Sequence, residues 1–342
     1  MALLLSVVFV ALVFEYINGF HDTANSIATV VSTKVLTPRQ AIALAAITNL
    51  IGALAGTAVA KTISAGLVDV KYATTAAIIC ALVGAVLWNL LTWWFGLPSS
   101  SSHALIGGLC GATLASADGQ WSALIWSKAK EGVPWYKYDG LLYKVVLPMV
   151  VSPLAGFLIG LVLMAFLYVV LRNWKPKWVT ATFGRAQLLS AAYMGFSHGS
   201  NDAQKTMGII TALLYAHGEL GGDFHVPFWV VVSCNGAMAL GTLFGGWRII
   251  HTMGTRITRL SPMQGVCAET AGSITLFLAT GLGVPVSTTQ TITGAIVGVG
   301  AARRTSAVRW GVAREILIAW VTTMPAAALV GAAFSWLAGL VL

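Results

Sequence analysis

Charge is what this chain has least of. Asp, Glu, Lys and Arg make up 9% of its 342 residues, against about 25% in a soluble domain. So few charges cannot cover a water-facing surface, which excludes a soluble globular protein. Cysteine is sparse too. Cys80, Cys110, Cys234 and Cys267 lie in apolar runs with no paired spacing, so neither a disulfide framework nor a thiolate metal cluster is encoded. His103 is replaced by Gln290 in the second copy of its motif, which a catalytic base working alike in both halves would not tolerate, and this argues against a hydrolase triad. The run 2–18 lacks a basic start and a small-residue cleavage signature, and it carries Glu15. It reads as a first membrane segment rather than a signal peptide.

What is present is apolar. Hydrophobic residues make up 57% of the chain, with a mean hydropathy of +0.82. The formal charge of +9 comes from Lys and Arg that mostly fall between apolar runs. That is the pattern of cytoplasmic loops, not of a nucleic-acid-binding surface. The expectation is an all-α polytopic membrane protein with about 10–12 membrane elements.

The sequence also repeats. The polar stretch Gly19-Phe20-His21-Asp22-Thr23-Ala24-Asn25-Ser26 is echoed by Gly199-Ser200-Asn201-Asp202-Ala203-Gln204-Lys205-Thr206, with Asp22 on Asp202 and Asn25 on Lys205. A second pair is Gly96-Leu97-Pro98-Ser99-Ser100-Ser101-Ser102-His103 and Gly283-Val284-Pro285-Val286-Ser287-Thr288-Thr289-Gln290. Gly107 and Gly111 match Gly294 and Gly298, Asn49 matches Asn235, and Pro153 matches Pro325. This divides the chain into a first repeat, 1–171, a basic central linker, 172–185, and a second repeat, 186–342. Paired Gly/Pro-interrupted apolar segments point to a secondary transporter with broken and re-entrant helices, inverted repeats and a site where the repeats meet. Both polar stretches are expected to break their helices, and Pro148 and Pro153 to kink or break the run 141–171. The basic linker and the cluster Arg303 to Arg314 are expected on the cytoplasmic side.

Ionisable groups inside apolar spans are costly and mark function. Asp22 and Asp202 are either N-caps of resumed helices or cation ligands. A hard cation such as sodium takes carboxylate, amide and hydroxyl oxygens, and Asp22, Asn25, Asn201, Asp202 and Gln204 supply them. Ser101, Ser102, Thr288 and Thr289 either cap two half-helices or, with free N–H groups and a positive dipole end, cradle an oxyanion. Hydroxyls that donate and accept suit a protonated tetrahedral anion such as phosphate. Lys205 either neutralises Asp202 or holds the anion directly. Glu269 is either satisfied by a helix neighbour or serves as a cation ligand or proton site. Glu15 and Glu315, nearer to run ends, read as structural, and the histidines as hydrogen-bonding supports.

These motifs resemble the duplicated signatures of the inorganic phosphate transporter (PiT) family, in order and over essentially the whole chain; Ala268-Glu269-Thr270 matches a further family position. His21 stands where the first motif usually has Asn, and Gln290 where the second hydroxyl motif usually has His. The resemblance implies a cation-coupled phosphate importer of the cell membrane, homodimeric, with sodium or protons as co-transported ions and no other cofactor. It implies phosphate ligands among Thr23, Asn25, Ser101, Ser102, Gln204, Lys205, Thr288 and Thr289. The implied sodium ligands are Asp22, Asn25, Ser101, Asn201, Asp202, Thr288 and Glu269. A proton-coupled phosphate or sulfate symporter is the alternative, with an anion channel behind it.

Overall fold

A computed structural model describes residues 2–341 except 66, 70, 73, 130–131, 135–137 and 222–223. The side chain of Arg303, one of the expected basic cluster, lies outside the described set. The first half of the chain forms α1 (Ala2–Ser32), α2 (Pro38–Ala53), α3 (Ala58–Ala65), α4 (Thr75–Trp94), α5 (Ser101–Ser116) and α6 (Leu147–Val170). The second forms α7 (Pro176–Ala216), α8 (Phe228–Phe244), α9 (Trp247–His251), α10 (Pro262–Gly281), α11 (Thr288–Arg303) and α12 (Trp310–Val341). The segments Leu3–Ser32, Thr75–Trp94, Leu142–Val170 and Trp310–Leu340 are long and apolar enough to cross a membrane. Large apolar side chains such as Leu158, Val162, Leu317 and Val321 are exposed along α6 and α12, as a lipid-facing surface requires.

Two of the expected helix breaks are absent. α1 and α7 run unbroken through both polar stretches. Their side chains are hydrogen-bonded sideways by neighbouring helices, so the backbone has no need to unwind. α7, with 41 residues, is about 60 Å long, twice the roughly 30 Å hydrocarbon layer. It begins at Pro176, so most of the stretch 172–185 is helix rather than extended linker. α6 also continues through Pro153. The interruptions fall elsewhere: between α2 and α3, and between α8 and the segment Trp247–Arg256, which bends away by 63°.

The second pair of motifs does form turns. α4 and α5 make one hairpin, α10 and α11 another. Each turns on a glycine with positive φ, Gly96 at +66° and Gly283 at +63°, which a residue with a Cβ adopts only at a cost. Each turn is pinned alike: Thr252 Oγ1 donates to Gly96 O at 2.8 Å, and Thr62 Oγ1 to Gly283 O at 2.7 Å. Arg248 also lies over Trp94, 4.4 Å from the ring centre, beside the first turn.

The hairpins open to opposite ends of the bundle. The far end of α5 meets the last turns of α12, with Ser116 Oγ 3.0 Å from Ser335 Oγ. The far end of α11 lies among Arg259, Gln264, Arg304 and Arg309, beside Lys34 and Arg256. Two like hairpins facing opposite ways make the repeats inverted, and the basic end is the one that the positive-inside rule assigns to the cytoplasm.

The duplicated glycines set the close crossings. Gly107 and Gly111 of α5 lie on Met324 and Ala328 of α12, and Gly294 and Gly298 of α11 lie on Pro153 and Phe157 of α6. The last helix of each half therefore packs on the hairpin of the other. A Cβ on Gly111 would sit 2.0 Å from the Ala328 carbonyl oxygen, so Gly111→Leu must force these helices apart. Overpacking costs about 1–3 kcal/mol where a core can yield, and two facing backbones yield poorly. Gly111→Leu should lose its monodisperse peak in detergent or melt several degrees lower. Gly339→Leu, with nothing near its Cβ, should match the unaltered protein.

Candidate functional site

Asn18, Asp22 and Asn25 follow one another at helical spacing on one face of α1. His198, Asp202 and Lys205 do the same on α7. All six are buried. Asp22 accepts from Ser101 Oγ at 2.8 Å through one oxygen and from His21 Nδ1 at 2.6 Å through the other. Ser101 Oγ also lies 2.7 Å from Asn18 Oδ1. In the second half, Asp202 accepts from Thr288 Oγ1 at 2.8 Å and from Lys205 Nζ, and His198 Nε2 lies 3.0 Å from its carboxylate.

The halves then cross over. Asn25 donates to Thr288 Oγ1 at 3.0 Å and Thr289 Oγ1 at 2.9 Å, both in the second half. Lys205, at the matching position, donates to Ser102 in the first half and to Val286 O at 2.9 Å in the second. One ammonium thus ties both hairpin turns together. Gln290 and His103, which replace each other between the repeats, meet at 3.3 Å. Ligand atoms of Asp22, His198 and Asp202 lie within 4.8 Å of one another. Two carboxylates, four hydroxyls, an amide and an ammonium converge at the hairpin turns, deep in the bundle. Asn25 Oδ1, His103 Nε2 and Gln290 Oε1 are buried there without a protein partner.

Capping falls to different residues from the site hydroxyls. Ser100 Oγ accepts from His103 N at 3.1 Å and Ser287 Oγ from Gln290 N at 3.2 Å. Ser101, Ser102, Thr288 and Thr289 are left for the site. Asp22 and Asp202 are not caps, since both lie in mid-helix.

Other residues singled out from the sequence lie apart. Gln204 accepts from Val59 N at 2.8 Å and donates to Ser200 O at 2.6 Å, capping α3. Thr23 Oγ1 donates back to Gly19 O at 2.5 Å. Asn201 donates to Thr280 Oγ1 at 2.9 Å, behind the second hairpin turn, as His21 Nε2 meets Thr92 Oγ1 at 3.1 Å behind the first. Glu269 forms its own centre toward the cytoplasmic end: it accepts from Thr29 Oγ1 at 2.5 Å, Gln187 Nε2 at 3.0 Å, and Ser190. Sequence reasoning missed Asn18 and the depth of Glu15. Their spacing from Asp22 on one helix face was the available signal.

An inverted-repeat membrane bundle with buried polar residues gathered at two hairpin turns fits a membrane transporter. A family model described as the phosphate transporter family matches residues 18–183 and again 171–331, so the duplication extends to the family pattern itself. This chain belongs to the phosphate transporter family. It is 54% identical over 340 residues to a probable low-affinity inorganic phosphate transporter of Rhizobium meliloti (strain 1021), covering 99% of this chain and 97% of the relative. It is 43% identical over 329 residues to the same kind of protein in Bacillus subtilis (strain 168), covering 95% and 94%. A solved structure of a sodium-dependent phosphate transporter matches with a TM-score of 0.85 at 26% identity, covering 100% of both chains. The chain is a multi-pass protein of the cell membrane and a transporter, not an enzyme.

Proposed function

We propose that this phosphate transporter is a sodium-coupled importer that binds phosphate where its two hairpin turns meet and works by alternating access. The observation that carries this is the placement of Asp22 and Asp202 together at the hydroxyl-rich starts of α5 and α11, one from each repeat. Asp202 has an ammonium beside it. Asp22 has only hydrogen-bond donors, so Asp22, with Ser101 and the free Oδ1 of Asn25, is the position for sodium. An ionised carboxylate in lipid needs such a counter-charge. Once sodium is bound, Ser101, Ser102, Thr288, Thr289 and Lys205 offer hydroxyls, helix N–H groups and a positive charge to phosphate.

The energetics ask for more than one coupling ion. Moving monoanionic phosphate inward against about 100 mV costs about 2.3 kcal/mol, and one inward cation recovers the same amount. A roughly tenfold ion gradient adds only about 1.4 kcal/mol. A second cation brings the total to on the order of 5 kcal/mol, enough for several-thousand-fold accumulation. Radiolabelled phosphate uptake into proteoliposomes tests the proposal, with inward sodium, potassium or proton gradients and sulfate or arsenate as competitors. Uphill uptake driven by sodium and displaced by arsenate is expected. Uptake that only equilibrates phosphate would mark a channel instead.

A further inference from the structure

Glu15 lies seven residues before Asp22 on α1, about 10 Å further from the cytoplasmic end. It is fully buried. Thr206 donates to its Oε2, Asn18 Nδ2 lies 3.4 Å from the same atom, and Oε1 has no partner. Glu269, about as far from Asp22 on the opposite side, has three donors on its two oxygens. Glu15 is therefore the buried carboxyl least supported as an anion.

The titratable groups facing it are Asp202 and Lys205 of α7 and Cys234 of α8. α4 and α5 bring only Cys80, His103 and Cys110 among titratable residues. Lys205 is already engaged by Asp202, so among the described residues no free cation neutralises Glu15. A metal ion is a poor alternative. α1 and α7 pass Glu15 unbroken, so their carbonyls are committed to helix hydrogen bonds. The carboxylate and the Thr206 hydroxyl leave a hard cation well short of about six oxygens. A proton needs only one.

We propose that Glu15 takes up the second coupling ion, a proton, from the extracytoplasmic side, and that phosphate moves only when this carboxyl is protonated. Thr206 adjoins Lys205, so the charge on Glu15 acts on the ammonium that spans the two hairpin turns. An ionised Glu15 draws Lys205 away from the anion; a protonated one releases it. Sodium at Asp22 and a proton at Glu15 supply the two positive charges that the energetics require, a scheme that rests on the transport function proposed above.

The test is Glu15→Gln in proteoliposomes, with the potential clamped by potassium and valinomycin and the pH gradient varied. Each coupled proton multiplies phosphate accumulation about tenfold per pH unit of gradient. Glu15→Gln should keep phosphate–phosphate exchange at equal pH and lose one such factor of about ten. An unchanged dependence on the gradient overturns the proton site. Thr206→Val supplies a second arm should Glu15→Gln fail to exchange. Losing the donor to the carboxylate should move the pH profile of exchange about one unit alkaline, whereas an equal loss of rate at every pH overturns the proposal. Failure of the unaltered protein to accumulate phosphate would instead refute the transport function.

Discussion

Asp22→Asn protein should lose sodium-driven phosphate uptake by about a hundredfold, or roughly 2.7 kcal/mol. The substitution keeps the shape of the side chain and can still accept from Ser101 Oγ. It removes the one site carboxylate that has no ammonium beside it. The remaining amide cannot hold sodium against water, and without the ion Ser101 and Asn25 have no positive charge to offer the anion. The loss should appear as a flat response to sodium, not only as a lower rate. Isothermal titration of detergent-solubilised protein should show phosphate binding that sodium no longer strengthens. Uptake by Asp22→Asn protein with the original sodium dependence would show that the ion binds elsewhere.

The second large effect concerns Lys205. Its ammonium ties Asp202, Ser102 and Val286 together, while Asn25 fills the matching position in the other repeat. Removing one partner of a buried charge pair costs about 3–5 kcal/mol, because the other charge is left uncompensated. Lys205→Asn should therefore suppress uptake more than a hundredfold at low sodium. Asparagine at this position also makes the second repeat resemble the first. A sodium ion can then replace the lost ammonium, so uptake should partly recover at high sodium, with a steeper, second-order dependence. Uptake that stays abolished at every sodium concentration would assign Lys205 to phosphate alone. The double variant Asp202→Asn/Lys205→Asn removes both charges and should fold better than Lys205→Asn, which melting in detergent would reveal.

Much of this site was legible before the fold was known. Two motifs, each present twice, placed Asp22, Asp202 and both hydroxyl clusters in one argument, and these residues do converge. The duplicated glycines and the turns at Gly96 and Gly283 also followed from the repeat. The continuity of α1 and α7 did not. A polar stretch in an apolar run looks the same whether its side chains are met by unwound backbone or by a neighbouring helix, and only packing decides. Gln204 shows the same limit: its amide is consumed by the start of α3, which is too short to stand out from the sequence. The depth of Glu15 was missed from its place near a run end, because a linear span hides that α1 carries Glu15, Asp22 and Thr29 along one stripe. The cross-packing of α6 on α11 and α12 on α5 has no local signature, since the paired glycines name a close neighbour without saying which helix it is.

That cross-packing has a consequence for how the molecule is made. While the ribosome is still synthesising the second half, α6 is already inserted but its glycine-seamed partner α11 does not yet exist. α4 and α5 wait in turn for α12, the last to emerge. Neither half can complete its packing before the chain is finished, so severing the turn between α6 and α7 would yield two fragments that must find each other in the bilayer. A lone ancestral repeat would have met the same demand, and could satisfy it only by pairing with an oppositely oriented copy of itself.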